Sequence, residues 1–141
     1  MSASVGTPRV PVSWGELLDK ISILEIKRAR IRDAGARANV ERELRLLREI
    51  VGQLPDEAEV AALTARLREV NEALWEIEDG IRGREAAKDF GAEFIRLARS
   101  VYTRNDERAA LKRALNRLLG SELVEEKSYA GGGFMLAGGA T

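Results

Sequence analysis

Three stripes of polar side chains carry whatever chemistry this chain can perform. The first is Glu25 and Arg28, three residues apart inside a face otherwise made by Trp14, Leu17, Leu18, Ile21, Leu24 and Ile31. The second is a ladder, Asn71, Trp75, Glu78, Arg82 and Glu85, whose steps of four and three trace one face of a helix. The third, Tyr102, Asn105, Ala109, Lys112 and Asn116, steps in the same way. If these faces converge, Arg28, Arg82 and Lys112 grip an anion such as a carboxylate or phosphate, with Arg offering a bidentate fork. Glu78 or Glu85, if buried, would supply a general acid or base. The same residues can instead satisfy one another. Glu25, Glu78 and Glu85 balance the three cations, and a polar network of this kind sets helix register without a ligand. That balance favours the network over the site.

The residue inventory narrows the chemistry further. The 141 residues include no Cys and no His, which removes disulfides, thiolate nucleophiles, imidazole acid–base chemistry and the commonest transition-metal ligands. A metal would need a carboxylate cage. Glu72, Glu76 and Asp79 share a helical face, but the E-E-x-x-E element followed by E-x-x-D of helical nucleotide pyrophosphatases is absent, and a solvated face is expected. The expectation is therefore no metal and no cofactor. Trp75, between Asn71 and Glu78, is expected in the core with its N–H bonded to a neighbour. Lys+Arg and Asp+Glu are equal at 23, so no bulk attraction to nucleic acid or to an anionic membrane is expected. No apolar run approaches a membrane span, and the N-terminus lacks an apolar signal core. A soluble cytoplasmic protein is expected.

Those stripes must be positioned by helices. Residues 1–12, with Pro8 and Pro11, read as an extended arm. Ser13 and Glu16 form an S-x-x-E capping box, with Val12 and Leu17 at staple positions, and the helix they open is expected to end near Gly35. A second helix is expected from about Arg37–Asn39 through Val40, Leu44, Leu47 and Val51, stopped by Pro55. A third opens on Asp56 as N-cap and carries the apolar seam Val60, Leu63, Leu67, Val70, Leu74, Ile77 and Ile81. Gly80 and Gly83 mark a kink in it or a close backbone approach. A fourth carries Phe94, Leu97, Val101, Leu111, Leu115 and Leu118 to Gly120, and Asn105-Asp106 leaves open whether it is one helix or two. Residues 121–141 break the periodicity and read as a flexible Gly-rich tail with a small apolar patch, Phe134-Met135-Leu136. Residues 13–120 thus make one all-α domain, an antiparallel bundle or set of coiled-coil hairpins of four to five helices.

Several segments together resemble a bacterial family of uncharacterised proteins, domain of unknown function 6165. They are GELLDKISILEIKRARI, LWEIEDGIRGRE, FIRLARSVYTRNDERAALKRALN and EEKSY, in that order over most of residues 13–129. The resemblance implies a small bacterial cytoplasmic protein and supplies no activity. The opening helix is also similar to that of small all-helical chorismate mutases, in Leu17, Ile21, Leu24 and Glu25 with Arg28 close by. That likeness stops at one helix, because their second-helix Lys and late Gln have no counterpart here. The expected function is a non-enzymatic homodimeric interaction or scaffold module. The alternative is a binding protein or enzyme for an anionic metabolite, whether phosphorylated sugar, nucleotide or dicarboxylate. Homodimerization is expected because helix one and the flanking ladders offer more surface than one small bundle hides.

Overall fold

The structure, a computed structural model, describes residues 4–123 and 126. Four helices follow one another: α1 (Trp14–Arg30), α2 (Ala34–Val51), α3 (Ala58–Ala86) and α4 (Ala92–Leu118). The fold is all-α, and among the described residues no helix is long and apolar enough to cross a membrane. The Gly-rich tail and its Phe134-Met135-Leu136 patch lie outside the described residues.

Local chemistry explains most boundaries. Ser13 is the N-cap of α1 and its hydroxyl accepts from the Glu16 N–H, as the capping box requires. α1 stops earlier than Gly35. Ile31 turns extended, and Asp33 caps α2 by accepting from the Ala36 N–H, so Gly35 lies in the first turn of α2. Glu57, rather than Asp56, flanks α3, and no side chain caps that end. α4 is one continuous helix through Asn105-Asp106, so the described residues form four helices. Both long helices finish in Schellman turns. Ser121 N–H reaches the Asn116 carbonyl with Gly120 left-handed, and Asp89 N–H reaches the Arg84 carbonyl with Lys88 at φ 54°.

α3 and α4 form the largest helix pair. They run antiparallel: Gly80 faces Leu97, while Asn71 and Arg108 meet at a common residue nearer the other end. α1 packs on all three other helices and is the centre of the molecule. Its apolar residues divide between two cores. Leu17, Ile21 and Leu24 pack with Val40 and Leu44 of α2, while Leu18 joins Val60, Leu67, Val70, Leu74, Leu111 and Leu115 of the hairpin. Length then decides what α1 covers. α3 has 29 residues and α4 has 27, about 40 Å each, whereas the 17 residues of α1 reach about 25 Å. The hairpin therefore runs on past the end of α1.

Candidate functional site

The best-built polar arrangement lies where α1 crosses the hairpin. A stripe of α1, Gly15, Asp19, Ser22 and Ile26, is buried there. At its start, every free N–H of the first turn finds an acceptor. Trp14 donates to Ser121 Oγ (3.3 Å), Gly15 to Asn116 Oδ1 (2.7 Å), Glu16 to Ser13 Oγ (3.1 Å) and Leu17 to the Ser13 carbonyl (3.1 Å). Gly15 is required by space: a Cβ there would sit 2.5 Å from the Lys112 carbonyl oxygen. One turn on, the Asp19 carboxylate is 1% exposed. It accepts from Arg108 through Nε and Nη2, and from Asn71 Nδ2 at 2.9 Å. Asn71 Nδ2 also donates to Ser22 Oγ (2.7 Å), which donates to the Asp19 carbonyl (2.8 Å). Lys112, 7% exposed, pairs with Glu16 at 2.7 Å. An ion buried this deeply is tolerated when its partners match its lone pairs, and Asp19 meets that condition.

The sequence-derived residues divide among separate places. Glu25 does not pair with Arg28. It joins three helices through Arg48 of α2 (2.6 Å) and Arg68 of α3 (3.1 Å). Arg28 is half-buried beside an open groove of about 400 Å³ lined by Glu41, Leu44, Arg45, Arg48 and Glu49. Trp75 is half-buried, with the Arg30 guanidinium 5.8 Å from its ring centre. Arg30 also pairs with Glu76 and, at 4.0 Å, with Glu72, so part of the expected solvated acidic face is engaged by the end of α1. Lys112 and Asn71 belong to the α1 crossing. Asn105, half-buried, accepts weakly from Arg108 at 3.5 Å. Arg28, Arg82 and Lys112 are thus not brought to one point.

The ladder itself is split. Asn71 and Trp75 lie under α1. Glu78, Arg82 and Glu85 lie past its end, exposed, with no side-chain hydrogen bond or ion pair among the described residues. The third stripe divides at the same level. Ala109, Lys112 and Asn116 are buried against α1, while Tyr102 (58% exposed), Ala98 and Ile95 (53%) continue the line uncovered. The α1-facing side of the hairpin therefore has a covered half and an open half. The open half sets an apolar row on α4 beside a charged row on α3. Toward the start of α4, the Arg96 guanidinium hydrogen-bonded to half-buried Glu93 holds that carboxyl below the usual carboxylate range.

Reading the sequence overlooked Asp19, Ser22, Gly15 and Arg108. The signal was present, since 15, 19, 22 and 26 step by four and three. It sits beside the greasier Leu17, Ile21, Leu24 line and reads as that face's edge.

No curated protein and no solved structure matches the chain. Residues 8–133 match the model of a family of unknown function, DUF6165. Because that match runs over nearly the whole sequence, the chain belongs to the DUF6165 family.

Proposed function

We propose that this chain is a non-enzymatic helical interaction module that acts as a homodimer. The observation that carries the reading is the open half of the α3/α4 hairpin. Its proximal half is covered by an amphipathic helix of the same chain, and the pattern that accepts this helix continues distally with no described residue covering it. Exposed Ile95 and Tyr102 beside half-buried Ile77, Ile81 and Val101 form an apolar surface rimmed by charge, the composition of a protein-binding face. The polar groups with buried, matched partners serve register: Asp19, Asn71 and Lys112 each bond to protein groups. Light scattering across a concentration series tests the reading. A mass near twice 15.5 kDa that falls to the monomer in Tyr102→Glu supports it. A monomer at every concentration contradicts it.

One observation favours a second reading. Arg28 has no hydrogen bond or ion pair among the described residues, and it shares the α1/α2 groove with Arg45 and Arg48. An anionic metabolite would fit that groove through guanidinium forks. A thermal-shift screen of phosphorylated and dicarboxylic metabolites, repeated in Arg28→Ala, tests this reading.

A further inference from the structure

We infer that the second copy docks hairpin to hairpin, antiparallel, about a two-fold axis passing level with Gly80 and Ala98. The inference rests on the homodimer reading above and adds the geometry. Three observations converge on it.

The first is the apolar row. Ala98 is a small residue flanked on the same face by Ile95 and Tyr102. A two-fold beside Ala98 sets Ile95 of each copy against Tyr102 of the other, and the small residue lets the two α4 helices approach. The second is the charged row. Glu78 and Arg82 flank Gly80 at equal spacing. A two-fold level with Gly80 sets Glu78 of each copy opposite Arg82 of the other, twice over. These two axis positions are chosen independently, one from α4 and one from α3. The third observation is that they coincide in height, because Gly80 packs directly on Leu97: a Cβ at Gly80 would lie 3.1 Å from Leu97 Cδ1. A single axis thus satisfies both rows. It also places the tip of each hairpin, with exposed Phe90 stacked edge-on against Phe94, at the end of the other copy's α1 near Trp75 and Arg30. The length left open by α1 is therefore filled, and the turn at each tip meets the last turn of the other copy's α1. A second copy fits this surface better than an unrelated helix, because the charge order is its own complement.

The open stretch of α3 spans residues 76–86, about 16 Å. This is short for a standard interface, so the dimer is expected to dissociate in the micromolar range. The chain contains no Cys, so single cysteines report without background. Ala98→Cys is expected to form an intermolecular disulfide under mild oxidation, and Leu46→Cys, on the exposed face of α2, is not. Charge reversal gives an independent arm. Glu78→Arg and Arg82→Glu should each weaken dimerization about tenfold, and the double variant should recover most of that loss. All three positions are exposed, and unchanged circular dichroism checks that the fold is intact. A dimer that neither crosslinks at Ala98 nor responds to the charge swap overturns this geometry and leaves the homodimer reading standing. A monomer at all concentrations overturns both.

Discussion

The two halves of the α3/α4 hairpin share one residue pattern and differ in what lies on it. In the proximal half, Leu67 and Leu115 are fully buried, and Asn71, Lys112 and Asn116 each bond to α1. In the distal half the same seam continues through Ile77, Ile81, Phe94 and Val101, all half-buried, and the flanking row ends in water at Glu78, Arg82 and Glu85. Two helices cover only one side of each other, so a third element is needed to close the seam. α1 provides it as far as Trp75 and no farther. Among the described residues the apolar pattern outlasts its covering helix, and the proposed dimer rests on this.

The contrast is sharpest in cavity-forming substitutions. Leu67→Ala is expected to cost about 4 kcal/mol, near the upper part of the range for a fully buried leucine. Ile81→Ala, at a half-covered position, should cost about 1 kcal/mol in the monomer. Equal losses in urea denaturation would erase the distinction between the halves. Next in size is Asp19→Ala, expected to cost about 3 kcal/mol. That is the low end for breaking a buried pair, because Arg108, at 28% side-chain exposure, can turn to water while Asn71 keeps Ser22. A cost near zero would mean that the network does not hold α1 in register. Gly15→Ala forces a Cβ onto the Lys112 carbonyl. A loss of about 2 kcal/mol is expected, despite the better helix propensity of alanine.

An effect of the opposite sign belongs to the distal tip. Lys88 adopts a left-handed backbone that favours glycine. Lys88→Gly should therefore stabilise by about 1 kcal/mol, measured by thermal unfolding. A destabilising outcome would show that the Lys88 side chain contributes to the tip.

Much of this fold was legible before any coordinates. Steps of three and four located four helices, and Ser13 with Glu16 located the start of α1. The end of α1 was not, because Ile31, Arg32 and Asp33 make a tight connection without Gly or Pro, while Gly35 imitates a C-terminal glycine. The ladder from Asn71 to Glu85 was legible as a face, but its division was not. Where that face is covered depends on the relative lengths of α1 and the hairpin and on where Asp19 docks, which are tertiary facts. For the same reason Arg28, Arg82 and Lys112 look alike in sequence and end in three environments: an open groove, an exposed row and a buried pair with Glu16.

Hydrogen exchange measured at low and high protein concentration tests the central claim most directly. Amides of α3 around Leu67 and of α4 around Leu115 should be strongly protected at both concentrations. Amides from Ile77 to Ala86 and from Ile95 to Tyr102 should exchange faster when dilute and gain protection when concentrated. Protection that is uniform along the hairpin and independent of concentration would contradict the account.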